Sequence, residues 1–318
     1  MKAEITMPPH GGQLKRIAER FGVSASGLLD FSANINPDGP PALVIEALRK
    51  ALDDLTVLSA YPDLEEIQLR LSIGAHVGVA TEAIAVANGF VPLLDAVLRT
   101  LPIRRCLLPV PAFGEYGNAL ERAGLEVTPY VLDQEADFRY APDALLQEMT
   151  TGHCDAILLA NPQNPSGVLC ERSDLIALVE EASKRNIYVL LDEAFIDYAP
   201  TQSLVRDTEA FANLIVFRSV TKFHGIPGLR VAYAVGAVSR GVRKSLAPWA
   251  ITTLAAIGVC AALSDEIYAT RTLQLNQKRR EILVAQLREL PDVGALRVDR
   301  RERAVEDGDN RVDRKSVV

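Results

Sequence analysis

Cysteine and histidine are scarce in this chain of 318 residues, and neither is grouped. Cys106, Cys154, Cys170 and Cys260 stand far apart with no Cys-x-x-Cys pair, and His10, His76, His153 and His224 are equally scattered. Such spacing gives neither a disulfide framework nor a zinc site, so reduced thiols and no metal are expected. Positive charge is in deficit too: 34 Lys and Arg against 41 Asp and Glu leave −7. That balance argues against nucleic acid or an anionic membrane surface as the main partner, and any anionic ligand must be gripped by local groups. The N-terminus, Met1 to Pro9, has no apolar core of the secretory kind, so a cytoplasmic setting is expected. One uncharged run, 247–264, approaches membrane-spanning length, but it contains Pro248, Trp249, Thr252, Thr253 and Gly258 and reads as a buried helix.

What is present is an alternation. From Ile84 onward short apolar runs exchange with longer helical patterns, and the strand candidates are 84–87, 106–110, 127–131, 156–160, 188–191, 214–217 and 229–235. The clearest intervening helix is expected to start at an N-cap Ser173, to bury Leu175, Ile176, Val179 and Ala182 on one face, and to end at Asn186. Strands this uniformly apolar are covered on both faces, which predicts an α/β fold with a mostly parallel sheet and ligands at its carboxyl edge. Before this region lies an Asn/Gly/Pro-rich arm, 1–41. A large α/β domain over 42–245, a smaller helical part over 246–296 with a long charged helix near 265–290, and a charged tail over 297–318 complete the division. The tail has no aromatic residue and reads as disordered.

Three of the strand ends carry polar chemistry. Asn161-Pro162-Gln163-Asn164-Pro165-Ser166-Gly167 follows the run 156–160, Asp192-Glu193-Ala194-Phe195 follows 188–191, and Ser219-Val220-Thr221-Lys222 follows 214–217. Taken alone, Lys222 reads either as a lysine that snorkels to solvent or as an imine-forming amine, with Ser219, Thr221 and Arg230 converging on a phosphate. An amide, a carboxylate and an amine at three strand ends suit a pyridine ring that carries an oxygen, an aldehyde and a ring nitrogen.

These motifs, in this order and spacing, resemble the class I/II aminotransferases of pyridoxal-5′-phosphate fold type I. The resemblance implies pyridoxal 5′-phosphate as cofactor and a large domain with a smaller second one. It implies that Lys222 forms the Schiff base, Asp192 pairs with the pyridine nitrogen and Asn164 contacts the ring oxygen. Ser219, Thr221 and Arg230 would bind the phosphate, together with Gly89, Phe90 and Val91 where a helix begins. Phe113 matches the aromatic residue stacked on the ring, and Tyr61 matches a tyrosine that reaches the cofactor of the other subunit in a homodimer.

Within that family, His10-Gly11-Gly12, Phe31-Ser32-Ala33-Asn34-Ile35-Asn36-Pro37, Phe195 and Pro248-Trp249 are similar to the threonine-phosphate decarboxylases of cobalamin synthesis. A phosphorylated amino acid is then the expected substrate, met by His10, Gly11, Asn34 and Ile35. Histidinol-phosphate aminotransferase activity, or a cofactor-binding remnant without turnover, are the other readings. Two departures stand out: Pro92 brings no N–H to the phosphate-binding helix start, and the tail replaces a segment in which relatives carry an arginine for the substrate carboxylate. The second departure predicts a truncated or altered second domain, with cofactor chemistry specified and substrate anchoring not.

Overall fold

In the computed structural model, which describes residues 11–290, the chain alternates strands and helices around one seven-stranded sheet. Helices α1 (Leu14–Phe21), α2 (Ala42–Ala51), α3 (Thr56–Ser59) and α4 (Ile67–Val77) come first. Then follow β1 (Ile84–Ala87), α5 (Phe90–Thr100), β2 (Arg105–Val110), α6 (Gly114–Arg122), β3 (Glu126–Val131), α7 (Pro142–Thr151), β4 (Ala156–Ala160), α8 (Arg172–Ser183) and β5 (Tyr188–Asp192). The sheet is completed by β6 (Leu214–Ser219) and β7 (Ala232–Val235), after which come α9 (Ser239–Ser245), α10 (Thr253–Leu263) and α11 (Glu266–Arg288).

The strand order is β1-β7-β6-β5-β4-β2-β3. Only β7 runs against its neighbours, β1 and β6; the other pairs are parallel. Alternation along β4 shows why its five residues are all apolar: Ile157 and Leu159 pack into the core on one face, and Ala156, Leu158 and Ala160 into the core on the other. Because the register aligns Ala160 with Asp192 and Asp192 with Phe217, the carboxyl ends of β4, β5 and β6 lie side by side.

Two local expectations are corrected. Helix α8 begins at Arg172 with Glu171 at the N-cap; the Arg172 N–H is taken by Gln202 Oε1 at 2.7 Å, so a distant side chain does the work assigned to Ser173. The helix closes at Ser183. The last strand starts at Ala232, because Pro227–Leu229 form a short 3₁₀ turn and Arg230 takes a left-handed conformation, φ 54°, that no strand accommodates.

The long uncharged run becomes α10, whose Val259 and Ala262 are fully buried against α2 and α4. No helix among the described residues is long and apolar enough to cross a membrane. Helix α11 starts where Asp265 accepts the N–H of Tyr268 at 2.9 Å, and it is buried only at Thr272 and Val284. The tail, 297–318, and its proposed consequences lie outside the described residues.

Candidate active site

Asp192 closes β5 with its side chain 6% exposed. Burial pushes its carboxyl up to about 6, while hydrogen bonds from Tyr116 and the Ala194 N–H, and the charge of Lys222, pull it back. Tyr116 Oη donates to Asp192 Oδ2 at 2.6 Å and the Ala194 N–H donates to Oδ1 at 2.9 Å. Each oxygen keeps acceptor capacity for one further donor.

On the neighbouring strand, the hydroxyls of Ser219 and Thr221 lie 2.7 Å apart, both buried. Half-buried Lys222 follows, its ammonium held below the ordinary lysine range first by burial and then by the charge of Arg230, against the pull of Asp192. A lysine so placed spends more of its time as the neutral, nucleophilic amine.

The loop after β4 divides its two asparagines between two tasks. Asn161, fully buried, is a staple: its Nδ2 donates to the Cys170 carbonyl at 3.1 Å and its Oδ1 accepts the Cys170 N–H at 2.8 Å. That pinning holds the turn in which Asn164 sits half-buried.

At the start of α5, Gly89 adopts φ 96°, and a β-carbon added there would lie 2.5 Å from Arg230 Nη2. The sequence thus brings a helix N-terminus and a guanidinium together over a residue without a side chain, which is a cradle for an anion. Pro92 stands at the third helical position, where its missing N–H has no intrahelical partner to lose. Phe90 packs against Phe113, Tyr116 and Phe217 at centroid distances of 6.4, 5.8 and 5.5 Å, and Phe113 meets Tyr116 edge-on at 5.5 Å. Val91 is half-buried on the same first turn.

Below this edge a buried ion-pair network braces both strands. Arg218 on β6 contacts Glu193 Oε2 at 3.3 Å and Asp197 Oδ1 at 2.5 Å, and Glu193 also accepts from Ser203 Oγ and the Leu204 N–H. The segments carrying Asp192 and Lys222 are therefore tied to each other one residue beyond Asp192 and one before Ser219.

The arm contributes the remaining candidates. Gly12 N–H donates to Ser32 Oγ at 2.9 Å and Gly11 is pressed on the Ser32 backbone, so the segment at Gly11 meets the segment that carries Asn34 and Ile35. Asn34 is exposed and Ile35 half-buried; the following residue, Asn36, donates its N–H to the Lys222 carbonyl at 3.1 Å. His10 lies outside the described residues. Tyr61 is 82% exposed and packed on Trp249 at a centroid distance of 5.0 Å. Sequence reasoning missed Tyr116 and Asn36. The signal for the first is its place three residues after Phe113, on the same face of the first turn of α6.

A model of the family described as aminotransferase class I and II matches residues 26–301. Threonine-phosphate decarboxylase of Salmonella typhimurium is 37% identical over 267 residues, which is 83% of this chain and 72% of the relative. Histidinol-phosphate aminotransferase of Methanocella arvoryzae is 29% identical over 283 residues, 86% of this chain and 74% of the relative. Histidinol-phosphate aminotransferase of Sinorhizobium meliloti, solved in complex with pyridoxal-5′-phosphate, superposes with a TM-score of 0.75 at 22% identity, over 89% of this chain and 76% of that one.

Proposed function

The chain belongs to the class I and II aminotransferase family, and from that premise we propose that it decarboxylates O-phospho-L-threonine to (R)-1-amino-2-propanol phosphate. The family's cofactor, pyridoxal 5′-phosphate, fits the residues present. The cradle at Gly89 and Arg230 would be filled by any β-carbon, Asp192 is a buried acceptor with capacity to spare, and Lys222 is an amine of lowered basicity.

When bound, pyridoxal phosphate supplies an aldehyde that an amine holds covalently and a ring that withdraws electrons from the α-carbon of an amino acid. The chain's own residues do the rest. Asp192 would pair with the ring nitrogen and hold its proton, and the bond from Tyr116 favours the ionised carboxylate and orients it. Asn164 offers an amide to the ring oxygen. Arg230, the N–H groups at the start of α5 and the hydroxyls of Ser219 and Thr221 hold the phosphate. Phe113, braced by Phe90 and Tyr116, gives the ring a flat apolar wall. Lys222 Nζ would be the amine that holds the aldehyde, and Lys222 or water would carry a proton to the α-carbon of the substrate.

Decarboxylation is preferred to transamination because of the relative at 37% identity and because Phe195 brings no phenol to the ring oxygen, where aminotransferases of the resembling family place a tyrosine. A relative that is a histidinol-phosphate aminotransferase at 29% identity supports the second reading. On the preferred reading the chain works in the cytoplasm, in cobalamin biosynthesis, as a homodimer. Leu29, Phe31, Leu55, Leu58 and Tyr61 are strongly exposed apolar side chains of the kind that a second copy would cover.

Purified protein incubated with pyridoxal phosphate and O-phospho-L-threonine should release CO₂ without an amino acceptor. Glutamate-dependent formation of an oxo product from histidinol phosphate, with no CO₂, would favour the second reading. Uptake of the cofactor with neither product would leave a binding protein without turnover.

A further inference from the structure

We propose that Asn36 is a positioning residue that locks the arm, the loop of Lys222 and helix α11 into one unit, and so sets the distance between the substrate-facing residues and the lysine. Asn36 is 5% exposed and its hydrogen-bonding capacity is nearly all used. Its backbone N–H donates to the Lys222 carbonyl at 3.1 Å. Its Nδ2 donates to the Phe223 carbonyl at 3.0 Å and to Tyr268 Oη at 2.8 Å, with Thr272 Oγ1 a further 3.4 Å contact. Its Oδ1 accepts the Asp38 N–H at 3.1 Å and its carbonyl accepts the Gly39 N–H at 3.2 Å.

Two further contacts make the unit closed rather than a chance crossing. Tyr268 Oη donates to the Gly39 carbonyl at 2.6 Å, and Arg279 on the same helix grips Asp38 through both oxygens at 2.7 and 2.8 Å. On the other side, Gly225 takes φ 61° with its backbone against Gly39, so closely that a β-carbon on Gly225 would lie 2.7 Å from the Gly39 carbonyl carbon. Segments far apart in the chain thus meet at one buried amide. Asn34 and Ile35 immediately precede it, so their reach toward Lys222 is fixed by the bonds Asn36 makes. Burying an amide without partners costs about 1–3 kcal/mol, and the partners here lie on the arm, the lysine loop and α11.

This inference rests on the reading of Lys222 as the cofactor-carrying lysine, and its test separates the two. Asn36→Ala should bind pyridoxal phosphate as wild type does, because Asp192, Arg230, Ser219 and Thr221 are untouched. KM for O-phospho-L-threonine should rise about tenfold with a much smaller fall in kcat. In cofactor-free protein, the amides of residues 36 and 39 should exchange hydrogen about tenfold faster. Asn36→Asp keeps the shape and the bond from Asp38 but turns the donor into an acceptor facing the Phe223 carbonyl, so it should behave like Asn36→Ala. Tyr268→Phe removes the link to Gly39, a 3.4 Å contact with the Phe223 carbonyl and part of the link to α11; it should show the same pattern at about threefold, and it serves where the alanine variant does not fold. Wild-type KM and wild-type exchange in Asn36→Ala, or an Asn36→Asp protein indistinguishable from wild type, would overturn the proposal. Should wild type take up no pyridoxal phosphate, the reading of Lys222 fails, and exchange at residues 36 and 39 still decides whether the clamp exists.

Discussion

Asp192, Ser219 and Thr221 are buried at the ends of β5 and β6 and are held by bonds from the same chain, whereas Leu29, Phe31 and Tyr61 are 86%, 92% and 82% exposed. The two regions are built to different rules. The strand-end group is braced from beneath by the Arg218 network, which ties β5 to β6. The arm is anchored near Asn36 and Asp38 and elsewhere presents apolar side chains outward. The difference separates two kinds of information. On the proposed reading, strand ends held within one chain would bind the cofactor, and the arm would meet the substrate.

The largest effect expected from breaking this division is at Asp192. Asp192→Asn keeps the bond from Ala194 but loses the negative charge that holds a ring proton, and turnover should fall on the order of 10³-fold with the fold intact by circular dichroism. Loss of only a few-fold would show that the strand-end group is not the chemical centre. Arg230→Ala should weaken cofactor binding about 10- to 100-fold, as for a charge-assisted bond worth about 1.5–3 kcal/mol, measured by absorbance titration.

A subtler effect concerns pH. Because burial raises the Asp192 carboxyl from 3.8 to about 6 in the folded chain, the native state binds the extra proton between these values. Stability of the cofactor-free protein should therefore fall as pH rises from about 4 to 6 and level off above. The stabilisation given by pyridoxal phosphate should grow over the same window, since the ring proton needs the ionised carboxylate. Tyr116→Phe removes a bond that lowers this value, so the midpoint should move upward by about one pH unit, read from cofactor-induced change in Tm against pH. An unmoved midpoint would reduce Tyr116 to packing. Smallest of all, Tyr61→Ala should leave the strand ends untouched and lower cofactor affinity only a few-fold, about 1 kcal/mol, and only under conditions where the protein self-associates. The same few-fold loss in a monomer by sedimentation would place Tyr61 in the site of its own chain.

Much of the strand-end group was legible because its signals are local. A short apolar run followed at once by Asn-Pro, Asp-Glu or Thr-Lys marks a buried strand with a polar end, and the register of β4, β5 and β6 brings those ends together. What the sequence concealed were pairings made at a distance. Ser173 reads as an N-cap, but the helix start is served by Gln202 from 30 residues away. Leu229 and Arg230 read as strand, but a Pro-Gly turn and a left-handed arginine aim the guanidinium at Gly89 instead. Tyr116 is buried, and its hydroxyl ends on Asp192 from 76 residues away. Asn36 reads as one turn former among several, and only its partners on the lysine loop and α11 distinguish it from Asn34.

The claim on which the rest depends is that Lys222 is the amine that carries the cofactor. Borohydride reduction of protein loaded with pyridoxal phosphate, followed by proteolysis and mass spectrometry, reads the attachment point directly. One modified lysine, Lys222, is predicted, together with loss in Lys222→Ala of the absorption band of the lysine-bound cofactor; a reduced adduct on any other lysine, with the peptide of Lys222 recovered unmodified, would contradict it.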